Sequence, residues 1–259
     1  MKLNLVKAST GASWVRQGVR TFWRQPIALG GLFFIFISLM SVFAIVPRIG
    51  NVLAIVCIPA ASLGLMQAAS LANQGQFPMP GVLFSAFRAA PERRQQMLVL
   101  GILYAGAFVG VLGLSSLFDG GVFAQLYLFG GRITPELVNT PGFETAMWFC
   151  TLLYVPVSAT FWHAPALVHW HGVPAFKSLF FSLMACFTNW RAFGVYLLTW
   201  TAISMGFSFS LIVVMSLFDL NALSGATLIP ALLVLAAMFF TSSFFSYRDC
   251  FEPQVNEQA

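Results

Sequence analysis

The residues best equipped for chemistry are three histidines close together in "FWHAPALVHWHG". They are His163, His169 and His171. Neutral imidazoles are good ligands for transition metals and for haem iron. The spacing does not require such a site. His163 and His169 are six residues apart, which puts them on different sides of a helix, and Pro165 interrupts the pattern between them. The alternative is a set of interfacial histidines beside Trp162 and Trp170 at headgroup depth. No resident cofactor or metal is expected.

Other catalytic signatures are missing from the sequence. There is no Walker sequence, no dinucleotide fingerprint and no H-E-x-x-H. Cys57, Cys150, Cys186 and Cys250 lack C-x-x-C spacing, and none falls in an external loop, so no disulfide framework is implied. Asp119 and Asp219 close two matching segments, "SLFDG" and "SLFDL"; such positions suit capping or turning the chain at a helix end. The expectation is a protein that is not an enzyme.

The elements that must hold these residues follow from composition. Charged residues make up 8% of the 259 residues, where a soluble domain carries about 25%. Apolar residues make up 59%. So few charges cannot cover a water-facing surface, and the composition argues against nucleic-acid binding, disulfide scaffolds and disorder. Six apolar stretches lack Asp, Glu, Lys and Arg, at about 27–46, 49–71, 97–117, 146–168, 193–217 and 226–245. A helix of about 20 residues crosses the roughly 30 Å hydrocarbon layer and satisfies its own backbone. The first stretch is too long for a signal-peptide core and has no A-x-A-like site after it, so a retained helix is predicted.

Basic residues orient the chain. With the N-terminus inside, cytoplasmic segments hold Lys2, Lys7, Arg16, Arg20, Arg24, Arg88, Arg93, Arg94, Lys177, Arg191 and Arg248, and the outer segments only Arg48 and Arg132. Both termini are therefore expected in the cytoplasm of a bacterial inner membrane. The formal charge of +5 then belongs to the cytoplasmic margin. Arg16, Arg20, Arg24, Arg88, Arg93 and Arg94 are expected to face anionic lipid there. In "GASWVRQGVRTFWRQP", Trp14, Gly18 and Phe22 share one side of a helix and the arginines another, which suits an amphipathic helix on the leaflet. A helix packed on the cytoplasmic ends of the spans would have the same pattern.

The same plan recurs. Half-apolar segments at 11–26, 80–96 and 173–193 each precede two spans. The second and fourth spans align at an offset of 97, with Pro59 on Pro156, and Pro230 takes the same place in the sixth. The predicted fold is an all-α polytopic membrane protein. Its six transmembrane helices form three tandem parallel units, each of one amphipathic cytoplasmic helix plus two spans. The chain forms a single membrane domain, 1–259, with repeat units at about 8–73, 80–171 and 173–247 and a polar tail at 248–259. Pro59, Pro156 and Pro230 are candidate helix kinks. Ala60, Gly64 and Ala68, Gly106 and Gly110, and Gly206 are candidate helix-packing positions, inside the chain or in a homodimer. The short apolar run Val122–Phe129 in the largest outer loop cannot span; it would dip into the outer leaflet or cover the bundle.

The opening "GASWVRQGVRTFWRQPIALGGLFF" resembles that of a family of proteobacterial six-span inner-membrane proteins. The overall plan is also distantly similar to the membrane domains found beside glycerophosphodiester phosphodiesterases, though the catalytic acids and histidines of those enzymes have no counterpart here. Three roles stay open. One is a non-enzymatic scaffold, assembly or envelope-maintenance protein. The second is a transporter or lipid-handling protein, and the third a haem- or metal-binding redox subunit. The expected partners are membrane lipids, anionic on the cytoplasmic side, and a membrane-protein partner, with no nucleic acid. A closed, well-packed centre would favour the first role. A cavity or lateral lipid opening would favour the second.

Overall fold

A computed structural model describes residues 3–46, 49–131, 133–218 and 224–251. The described elements are α1 (Thr10–Arg24), α2 (Pro26–Ala44), α3 (Gly50–Asn73), a 3-10 segment (Pro80–Arg88), α4 (Pro91–Asp119), α5 (Val122–Phe129), α6 (Pro135–Val138), α7 (Phe143–Phe161), α8 (Ala164–His171), α9 (Ala175–Thr188), α10 (Trp190–Leu217) and α11 (Ser224–Phe251). Among the described residues, six helical stretches are long and apolar enough to cross a membrane: α2, α3, α4, α7 with α8, α10 and α11. The protein is an all-α, six-span polytopic membrane helical bundle. Arg48, Arg132, Asp219 and residues 252–259 of the expected tail lie outside the described residues.

Lipid is the solvent for most of the spans' surface. Ile27, Phe34, Leu114, Leu152, Leu198 and Phe209 are all well exposed, as a bilayer permits and water would not. Burial concentrates toward the far ends of three spans. Leu63 to Ala72 in α3, Ala164 to Val168 in α8, and Ala237 to Phe251 in α11 hold most of the buried side chains of their helices. Arg248 to Phe251 thus continue α11 and do not begin the tail. Cys250 and Phe251 are buried.

The segment 80–96 is not one helix, as its pattern suggested. It forms a 3-10 turn, with Phe84 off helical angles, and its last residues open α4. The residue before a proline is driven to extended backbone, and Ala90 has φ −53° and ψ 150°. Pro91 then starts α4, where its missing N–H costs nothing.

Internal contacts group the chain into two compact units. The first draws on 1–37, 62–85 and 185–259 as far as they are described. Here α1 lies against α10 and α11 and buries Gly11, Trp14, Val15, Gly18 and Phe22. Two glycines set that approach. A Cβ on Gly11 would stand 2.0 Å from the Ala192 carbonyl oxygen, and one on Gly18 would stand 2.3 Å from Ser242 Cβ. Trp14 donates from Nε1 to Asp249 Oδ2 at 2.9 Å, and Arg248 bonds both Asp249 and Gln17. Asn189 holds the chain ahead of α1: its Oδ1 accepts from the Val6 N–H and its Nδ2 donates to the Asn4 carbonyl.

The second unit comprises 38–61 and 86–184, with α4 against α7, α5 and α8. The fourth span is broken between α7 and α8, at Trp162–His163. Ser182 of α9 explains the break. Its hydroxyl donates to the Ala159 carbonyl at 2.8 Å and accepts the His163 backbone N–H at 2.9 Å. These two groups would have paired with each other in an unbroken α-helix, so the serine is inserted into the i→i−4 ladder. Pro165 opens α8, where a missing N–H is tolerated.

Candidate functional site

One end of the site is set by Asp119, the last residue of α4. Gly120 and Gly121 follow it with φ of 67° and 94°, a left-handed turn that side chains resist. The chain reverses there, and the Asp119 carboxylate accepts the N–H of Gly121 at 2.8 Å and of Phe123 at 2.6 Å. It therefore caps the start of α5, the kind of role its sequence position suggested. Asn51 of α3 donates to the Leu128 carbonyl near the other end of α5. Fixed at both ends, α5 turns Phe123 and Tyr127 toward a cavity of 460 Å³ in the second unit.

α3 lines this cavity with Asn51, Ala54, Ile55 and Ile58, α4 with Tyr104, Phe108, Val111 and Leu112, and α7 with Cys150, Thr151 and Tyr154. The phenol oxygens of Tyr104 and Tyr154 are 2.5 Å apart. The ring of Tyr104 meets Phe161 edge-on at 5.0 Å, and Phe108 meets Tyr154 edge-on at 5.8 Å. Edge-to-face packing of this kind holds ring orientations. The volume lies in the range of small-molecule pockets, and the walls are largely apolar with few polar groups. The phenols and the Asn51 amide can hydrogen-bond a carbonyl, ester or hydroxyl. Among the described residues, no nucleophile–base pair lines the cavity.

Three of the chain's five tyrosines, Tyr104, Tyr127 and Tyr154, line this one cavity. Nothing in their sequence spacing marks them as a group. Hydroxyl-bearing rings within apolar runs were the available signal, since a phenol in hydrocarbon needs a partner.

The residues singled out from sequence are dispersed. His163 is fully buried at the α7–α8 break, His169 is half-buried and His171 is exposed. Among the described residues, no three His, Cys, Asp or Glu side chains gather as a metal-ligand set. Arg16, Arg20, Arg24, Arg88 and Arg94 are exposed. Arg93 is exposed too, and its guanidinium donates to the His169 carbonyl at 2.8 Å, near the C-terminus of α8, where a cation is favoured. The apolar side of α1 is occupied by α10 and α11, which leaves its arginines and Trp23 exposed. Pro59, Pro156 and Pro230 lie inside α3, α7 and α11. The fourth span breaks at His163, not at Pro156.

The packing candidates divide. Ala60 and Ala68 are buried, and a Cβ on Gly64 would meet the Leu83 backbone at 2.7 Å. A Cβ on Gly106, Gly110 or Gly206 would meet nothing within 4 Å, so these three make no close helix contact among the described residues. Gly11, Gly18 and Gly101 make such contacts instead; a Cβ on Gly101 would lie 2.3 Å from the Val56 carbonyl oxygen.

No protein-family profile matches this sequence, and no solved structure matches it. The chain is 38% identical over 258 residues to a protein of Burkholderia thailandensis described as a probable inner membrane protein. The match covers 98% of this chain and 95% of that protein. Near-complete coverage at this identity, together with six spans, makes this a multi-pass bacterial inner-membrane protein, and the chain belongs to the same family as the Burkholderia protein.

Proposed function

We propose that this protein is a non-enzymatic lipid-handling component of the inner membrane, serving envelope maintenance. The aromatic cavity between α3, α4, α5 and α7 carries the reading. Its apolar walls suit an acyl or isoprenoid chain, and the Tyr104–Tyr154 pair suits the carbonyl or hydroxyl where such a chain meets its polar end. The expected ligand is a lipid with a neutral polar group, since among the described residues no charged side chain lines the cavity. The redox role lacks comparable support, because the three histidines differ in burial and none of them lines this cavity.

Lipid extracted from protein purified in native membrane and identified by mass spectrometry tests this. Thr151 lines the cavity and is itself exposed, so Thr151→Phe fills the site without disturbing a buried position. The variant is expected to retain at least several-fold less of the co-purifying lipid while remaining monodisperse. Equal lipid content in the two proteins, or none in the wild type, would overturn the reading.

Both termini face the cytoplasm in this reading, supported by the concentration of Lys and Arg on that side. A phosphatase fusion after Ala259 is expected to be inactive and a fluorescent-protein fusion bright. The reverse pattern would reject the orientation. The tandem arrangement has support in the order of elements, since a shorter helix precedes two spans three times: α1 before α2 and α3, the 3-10 segment before α4 and α7, and α9 before α10 and α11. In each case the second span contains a proline and ends in a buried stretch. The exposed arginines of α1 and of the start of α4 are then the lipid-facing basic margin.

A further inference from the structure

We infer that a second pocket, where α4 begins, binds the phosphate of an anionic phospholipid. This pocket has a volume of 380 Å³ and is lined by α3, the end of the 3-10 segment and the first turns of α4. Its apolar walls include Cys57, Ala60, Phe87 and Leu98, and its polar groups are Arg94 and Gln95. Both polar side chains are exposed and make no hydrogen bond or ion pair among the described residues. Arg93 beside them is committed to the His169 carbonyl, so Arg94 supplies the pocket's charge. About two turns beyond Arg94, the missing Cβ of Gly101 lets α4 touch the α3 backbone at Val56 and closes that end.

A guanidinium presents a planar fork of donors that matches a phosphate, and the Gln95 amide adds donors beside it. Phe87 and Leu98, 53% and 57% exposed, continue the site as an apolar surface that a free phosphate would not use. The occupant is therefore a lipid held by both its phosphate and the start of an acyl chain. This site shares no lining residue with the tyrosine cavity, so it stands or falls independently of the ligand proposed there.

The test uses full-length protein in a neutral detergent, titrated with phosphatidylglycerol, phosphatidylcholine and soluble glycerol phosphate, with bound lipid counted by native mass spectrometry. Both lipids carry the phosphate, but the choline ammonium of phosphatidylcholine offsets its charge, so phosphatidylglycerol is expected to bind about tenfold more tightly. Arg94→Gln should remove that preference. Arg88→Gln, which changes an equally basic residue outside the pocket lining, should keep it. Labelling of Cys57 by a maleimide should slow when phosphatidylglycerol is bound, and labelling of Cys150 in the other cavity should not. Equal losses in the two arginine variants would assign binding to diffuse surface charge and overturn the site. An unchanged Arg94→Gln protein would do the same. Competition by glycerol phosphate as strong as by the lipid would make it a free-phosphate site and reject the acyl contact.

Discussion

Replacing Gly18 by leucine is expected to force α1 away from α11 and to destabilise the first unit by about 3 kcal/mol or more. Overpacking a core typically costs about 1–3 kcal/mol where side chains can shift. Here the opposing atoms include backbone. A Cβ at residue 18 would stand 2.6 Å from Ser242 Cα and 2.9 Å from its nitrogen, before the rest of a leucine is placed. Ser242 cannot withdraw easily, because its hydroxyl pairs with Tyr196 at 2.7 Å, accepts from Trp200 Nε1 at 3.1 Å and donates to the Phe239 carbonyl at 2.6 Å. The helix that must move is α1, and with it goes Trp14, which is fully buried against Phe193 and Tyr196. Thermal unfolding in mild detergent, followed by loss of the monodisperse chromatographic peak, measures the effect. Gly206→Ala is the control. Its Cβ meets nothing, so it should be neutral or stabilising by up to about 1 kcal/mol from helix propensity. A Gly18→Leu protein that melts with the wild type would show that α1 is not held as described. A strongly destabilised Gly206→Ala protein would show that α10 uses that face against another chain.

The spans were legible because lipid excludes charge over a fixed thickness, and that rule acts locally along the chain. Their ends were less so. α4 begins six residues before its apolar run, at Pro91, since Glu92, Arg93 and Arg94 suit a helix that extends past the hydrocarbon. Periodicity showed the two sides of α1 but could not say whether protein or lipid covered the apolar one; Gly11 and Gly18, seven residues apart on one side, carry that answer. Small-residue spacing had the same weakness, so Gly106, Gly110 and Gly206 read like Gly64 although only Gly64 faces a neighbouring backbone. The break at His163 depends on Ser182, nineteen residues away on another helix. The tyrosine cavity was hidden for the same reason. Residues 51, 104, 127 and 154 come from four elements and form no motif until the chain is folded.

Asp249→Ala is expected to cost about 2–4 kcal/mol, the range for leaving buried or charged partners unsatisfied. It is one of only eight acidic residues, and it lies in the last turn of α11, where a bare carboxylate would oppose the helix dipole. Its partners account for its presence. Oδ2 accepts the indole N–H of fully buried Trp14, and Oδ1 takes two bonds from the Arg248 guanidinium at 2.9 and 2.8 Å. Removing the carboxylate leaves the indole donor without an acceptor and the half-buried guanidinium without its counter-charge, retaining Gln17 and the face of the Phe245 ring. Asp249→Asn keeps an acceptor for Trp14 and should cost about half as much. Trp14→Phe keeps the ring and drops the donor. Combined with Asp249→Ala it should show coupling of about 1–2 kcal/mol, because the second change then has no bond left to break. Additive costs would mean that the indole bond contributes nothing of its own and that the ring packing against Phe193 and Tyr196 alone holds α1. Non-additive costs would place the anchor of α1 at the end of α11, where one carboxylate joins the ring of one helix to the cation of another.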